Sequence, residues 1–163
     1  ARDILRITEA RTADAATQAR RALALLALNR DRPAARALTA ALRQAPADPA
    51  GWTRLALVRH RIGAAPERIA QALAMALRTG PRTHHLAPIR AELALYHWPR
   101  LAARDRRRAR VQLRLAWTQT PAVLRTAARA SGRHAVLAQA LGHDPRRPPR
   151  RPPRRLDAVR TSR

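Results

Sequence analysis

Three times along this chain a small or apolar residue is followed four positions later by Leu, three further on by Ala, and five beyond that by Pro. The copies are Ala34-Leu38-Ala41-Pro46, Ile69-Leu73-Ala76-Pro81 and Ala109-Leu113-Ala116-Pro121, spaced 35 and 40 residues apart. Steps of four and three return to one side of an α-helix, so each copy is an apolar stripe that another element must cover. The Pro cannot continue a helix and ends the turn behind it. Small residues on the stripe let neighbouring helices approach closely. A period of this length is that of stacked helix pairs. The competing arrangement is an irregular Ala/Leu helical bundle with similar loop lengths.

The core chemistry agrees with helices. Of 163 residues, 46% are apolar, none is Phe, and the aromatics are confined to Trp52, Tyr96, Trp98 and Trp117. What is buried must therefore be Ala, Leu, Val and Ile, with Ala and Leu favouring helix. No alternating apolar pattern marks a strand. The expected class is all-α, with helices over 12–28, 33–44, 49–61, 66–78, 83–98, 104–118, 121–130 and 133–141. Pro33, Pro49, Pro66 and Pro121 stand at helix starts, where a missing amide costs nothing. Gly63, Gly80, Gly132 and Gly142 fall just past helix ends, where a left-handed residue is wanted.

The stripe with its closing Pro resembles the second helix of the tetratricopeptide repeat, and residues 15–121 carry the resemblance. Asp48-Pro49-Ala50-Gly51-Trp52 is similar to the start of such a repeat, with Trp52 at its tryptophan position, Leu55 and Ala56 at the leucine and small-residue positions, and Gly63 at the inter-helix turn. The first copy has Asn29 at that turn, Leu25 at the usual tyrosine position and Gln18 in place of tryptophan. The central copy has one extra residue between Gly63 and Ile69, and Arg59 where the family prefers Tyr. The third is longer by about five residues and lacks the Trp-Leu-Gly signature. The resemblance implies an antiparallel helix-hairpin solenoid over 1–143, capped by two short helices, whose partner groove is lined by the first helices. Carried over, that groove holds Ala50, Thr53, Leu57, His60 and Arg61 from the central copy. His85, Glu92, Leu95 and Tyr96 come from the third, and Ala16, Ala19, Leu23 and Leu26 from the first. Ala19 and Leu23 fall on two positions of the carboxylate clamp found in chaperone-binding relatives, which speaks against that role. The implied activity is a scaffold or assembly subunit holding a protein partner, acidic or part of a larger complex.

Charge supplies the alternative. All 34 basic residues are Arg, against 10 acidic ones, for a net charge of +24. Arg in place of Lys points to a GC-rich, bacterial genome, but codon bias alone does not explain the shortage of Asp and Glu. Such a field attracts nucleic acid, anionic lipid or an acidic protein. Arg104, Arg107, Arg108, Arg110 and Arg114 open and continue one helix, and Arg107, Arg110 and Arg114 are spaced to share a face that could track phosphates. No aromatic residue interleaves with them to stack bases. From Asp144 onward the chain is Pro/Arg-rich, with 8 Arg and 2 Asp, and is expected to be an extended, disordered basic tail. Its Pro145-to-Pro148 spacing is also that of a proline-motif ligand. Residues 1–143 still carry +18.

Catalytic patterns are sparse. There is no Cys, and Ser occurs only at 131 and 162. Ser131 has His134 three residues on but no nucleophile-elbow context. No phosphate-cradling glycine loop is present. The adjacent His84 and His85 diverge on a helix, and His60 and His97 lack the i, i+4 partner of a metal pair. No enzyme activity, cofactor, metal or small-molecule substrate is expected. The longest purely apolar run, residues 22–28, is seven residues, short of the roughly 20 that cross a bilayer. The chain begins with Ala rather than Met. This start is compatible with a removed N-terminal segment, either a signal peptide or a membrane anchor, and leaves the compartment open between membrane-associated and cytoplasmic.

Overall fold

A computed structural model describes residues 2–145, with side chains from Asp14 onward. The Pro/Arg-rich tail expected to be disordered lies, from residue 146, outside the described residues. Eight helices follow one another: α1 (Arg2–Ala27), α2 (Asp31–Gln44), α3 (Pro49–Arg61), α4 (Pro66–Thr79), α5 (Ala87–His97), α6 (Ala103–Trp117), α7 (Pro121–Ala130) and α8 (His134–Leu141). Among the described residues there is no strand, so the protein is all-α. Short 3-10 turns, His84–Leu86 and Trp98–Arg100, flank α5 and take over the ends of the longer helix expected at 83–98.

The punctuation has local causes. Pro49, Pro66 and Pro121 open α3, α4 and α7, and the Asp48 carboxylate accepts the Ala50 amide at 2.9 Å as a cap. Three hairpins turn in the same way. Asn29, Gly63 and Gly132 have φ of 54, 64 and 67°, and the next residue's amide reaches back to a carbonyl five positions earlier. Those bonds, Arg30 to Leu25, Ala64 to Arg59 and Arg133 to Ala128, are 2.8, 2.9 and 2.8 Å long. Gly142 is also left-handed, with φ of 75°. Gly80 departs from expectation, with φ of −146°. It is needed for space: a Cβ there would lie 2.5 Å from Cβ of Pro49. The ends of α3 and α4 touch at that point.

Neighbours in sequence are neighbours in space. The closest packing is within α1–α2, α3–α4 and α5–α6, whose short connections force antiparallel pairs. The pairs also lie side by side. The odd helices α3, α5 and α7 touch in one layer, and the even helices α4, α6 and α8 in the other. All nine stripe residues are buried, none more than 7% exposed, and they sit on α2, α4 and α6 as the 3-4 spacing requires. The folded part runs slightly past the expected limit at 143. Pro145, expected to make no packed contact, is buried, and its carbonyl accepts from Arg125 Nε at 3.1 Å.

Candidate functional site

Eight of the residues assigned to a first-helix groove are sorted by the packing into three groups, while Ala16 and Leu23 are exposed and Ala19, Leu26 and Ala50 half-buried on α1 and α3. Thr53 and Leu95 are not on a surface at all, at 1% and 0% exposure. Thr53 points into the junction with α5, where its hydroxyl donates to the Pro49 carbonyl at 2.7 Å and accepts from Arg90 Nε at 2.9 Å. Leu95 faces the core because the helix phase at α5 differs from that of α3. Both assignments are corrected.

Leu57, His60, Arg61 and Tyr96 form the second group, and His60 of α3 meets Tyr96 of α5 where the two helices lie side by side. The rings of His60 and Tyr96 are 5.2 Å apart, and His60 Nδ1 meets His97 Nε2 at 3.1 Å. One imidazole must donate and the other accept, so the pair cannot keep this bond when both are protonated. Burial, and then the nearby His60, hold His97 below the ordinary imidazole value. Leu57 and Tyr96 are half-buried against the core, and Arg61 Nε pairs with Asp31 at 3.1 Å. His85 and Glu92 are the third group. His85 is exposed in the 3-10 turn before α5, at the opposite end of that helix from Tyr96, and Glu92 lies part-exposed between them.

Arg90 is the residue that sequence reasoning missed. It is fully buried without a carboxylate partner, and its guanidinium donates to Thr53 Oγ1, the Gly80 carbonyl at 2.6 Å and the Pro49 carbonyl at 3.2 Å. It thereby joins the start of α3, the end of α4 and the body of α5. Desolvation lowers its pKa to about 10. The sequence gives no signal for it, because one Arg among 34 basic residues has no distinguishing neighbour.

The arginines of α6 divide differently from the expected Arg107-Arg110-Arg114 stripe. Arg110 donates to Gln139 Oε1 at 3.0 Å and lies 5.7 Å from the Trp98 ring, and Arg114 donates to the Ala140 carbonyl at 3.3 Å. Both belong to the α6–α8 contact. Arg104, Arg107 and Arg108 instead surround the exposed Val111 in a shallow depression. Arg108 is itself engaged, donating to Asp105 at 3.1 Å. Asp105 is 1% exposed and also takes two bonds from Arg78, at 3.1 and 2.7 Å. The Arg78 bonds above all hold this carboxyl below the usual carboxylate range.

A second arginine-lined depression was not expected. It lies between α2 and the α3–α4 hairpin and takes in Arg32, Arg36 and Arg43 of α2, Arg59 of α3 and Arg68 of α4. Its signal was present in the spacing of the three arginines on α2. Ser131 binds back to the Ala127 carbonyl at 2.7 Å, as a residue closing a helix does. Among the described residues no three His, Cys, Asp or Glu side chains gather as a metal site, and no helix is long and apolar enough to cross a membrane. Set against known proteins, the chain matches no family model and no curated protein.

Proposed function

We propose that the chain is a tetratricopeptide-like helical-repeat scaffold that holds a segment of another protein across the exposed side of its first helices, α3 and α5. The observation that carries this reading is the shared helical phase of the nine buried stripe residues on α2, α4 and α6. A common phase lets successive pairs stack in one sense and leaves the first-helix side open. Leu57 and Tyr96 offer apolar area there, beside His60, Arg61 and Glu92. Such a mixed surface suits an extended or helical peptide better than a small substrate. The role is binding rather than catalysis.

The test is selection of peptides from a random library on the immobilised full chain after nuclease treatment. Selected peptides should lose at least about tenfold in affinity for Leu57→Ala and Tyr96→Ala variants, since anchoring residues carry most of such binding. Arg61→Glu should reduce capture as well. Tight binding of random-sequence nucleic acid at physiological salt, unaffected by these three changes, would overturn it.

A second reading has its own observation: Val111, 41% exposed, is ringed by Arg104, Arg107 and Arg108. This arrangement suits contact with a polyanion, either nucleic acid or an anionic lipid surface. Replacing the three arginines would then lower the log-affinity versus log-salt slope by up to about 3 for nucleic acid.

A further inference from the structure

We propose that the groove between α2 and the α3–α4 hairpin is a docking site for an acidic amphipathic helix of a partner protein. Five arginines, Arg32, Arg36, Arg43, Arg59 and Arg68, line a space of about 530 Å³ with no carboxylate among its lining residues. At about 100° per residue, the three arginines of α2 fall within a sector of about 40°, on the side opposite Ala34, Leu38 and Ala41. They recur along about 16 Å of helix, the length of three turns. The rest of the lining is short and largely apolar: Ala35, Thr39, Ala40, Ile62 and Ala64.

The fifth guanidinium is fixed in place. Arg59 is half-buried, and its Nη1 donates to the Arg68 carbonyl at 2.8 Å. Burial first, and the Arg68 charge second, hold Arg59 below the ordinary arginine value. Like charges are thus brought together with no carboxylate among the described residues that line the groove, a local cost that a bound anion removes.

The lining also decides between anions. No aromatic side chain borders the groove, so nucleotide bases would find nothing to stack on. The Ala-rich lining gains little from a phosphate backbone. It resembles the Ala surfaces on which this chain packs its own Leu-bearing helices. A partner helix with Leu or Ile along one face and Glu or Asp beside it would fill the apolar lining and reach the rim of arginines. This site lies apart from Leu57 and Tyr96 and does not rest on the first-helix reading.

The probe is a fluorescein-labelled peptide of about four helical turns with Leu on one face and Glu flanking it, read by anisotropy on the full chain at physiological salt. Comparison probes are a scrambled peptide of the same composition and a mixed-sequence single-stranded oligonucleotide. The amphipathic peptide should bind at least about tenfold more tightly than either, and R36E/R43E should weaken it by at least about tenfold. R36Q/R43Q should weaken it less, and Ile62→Ser should weaken it without changing its salt response. R104E/R107E should change it by less than about twofold. Thermal midpoints accompany each variant, and R36Q/R43Q stands in if the reversed pair fails to fold. Equal binding of the scrambled peptide or the oligonucleotide, equal loss with R104E/R107E, or no binding at all overturns the proposal. Loss of binding with L57A/Y96A but not R36E/R43E would move the partner to the first-helix side.

Discussion

The two arginine-rich regions, one between α2 and the α3–α4 hairpin and one along α6, look alike in sequence and differ in what the guanidiniums do. On α6, Arg108 holds the buried Asp105, and Arg110 and Arg114 bind α8, so most of its donors serve the fold. Between α2 and the α3–α4 hairpin, Arg32, Arg36, Arg43 and Arg68 are exposed around a groove with no carboxylate among the described residues that line it. Density of charge therefore does not mark a site. What marks it is charge left without protein partners on a surface shaped to receive something. Arg90 is the extreme of the first kind, with every bond turned inward.

The difference is most directly broken at Arg90. Arg90→Met keeps the bulk but removes the charged donor shared by Thr53 Oγ1 and the Gly80 and Pro49 carbonyls, and should lower unfolding free energy by roughly 2–4 kcal/mol in urea titration. A cost below about 0.5 kcal/mol would mean inward arginines are not structural, and the contrast would fail. Ala76→Leu separates packing from charge. Ala76 is fully buried, so added methyl groups should overpack the junction and cost about 1–3 kcal/mol by the same measurement.

Asp105→Asn comes next, at about 1–2 kcal/mol, because Arg78 and Arg108 lose a charged acceptor. The wild-type carboxyl titrates below its ordinary value, so its contribution is intact above about pH 4 and is lost as pH falls through the lowered value. Acid titration followed by circular dichroism should therefore be shallower in Asp105→Asn than in the wild type. An unchanged acid profile would remove Asp105 as the anchor of the α6 arginines. The smallest effect sharpens the other side of the contrast. Replacing Arg36 and Arg43 together with Ala should leave the thermal midpoint unchanged, or raise it slightly at low salt as like-charge repulsion is relieved. A clear fall would show that these outward arginines also hold the fold.

The helices were legible in the sequence because their signals are local. Pro at helix starts, Asn29, Gly63 and Gly132 at turns, and the 3-4 apolar stripes all act within a few residues, and the buried set followed from them. The side-chain assignments were less legible because they depend on what lies across a junction. The family resemblance implies a groove position for Thr53, yet the helix packed against it carries Arg90. Gly80 was read as a left-handed stop, yet it serves a close approach to Pro49, 31 positions earlier. The α2 stripe of Arg32, Arg36 and Arg43 could have been found by the same angular arithmetic that found Ala34, Leu38 and Ala41. The denser Arg run on α6 masks it.

Arg90 also bears on how the molecule comes apart. In a row of helix pairs, each pair is free in principle to open at its own rate, and the ends fray first. One guanidinium bound to the first residue of α3, the residue after α4 and the side chain of Thr53 removes that freedom in the middle of the row. Separating α5 from α3 costs Arg90 its bonds to Thr53 and Pro49, and separating it from α4 costs the bond to Gly80. Either break leaves a desolvated guanidinium short of acceptors, a cost that couples the two junctions. Helices α3, α4 and α5 should therefore exchange their amide protons as one slow cooperative block, giving the row of helices a rigid centre from which its flanking helices loosen outward.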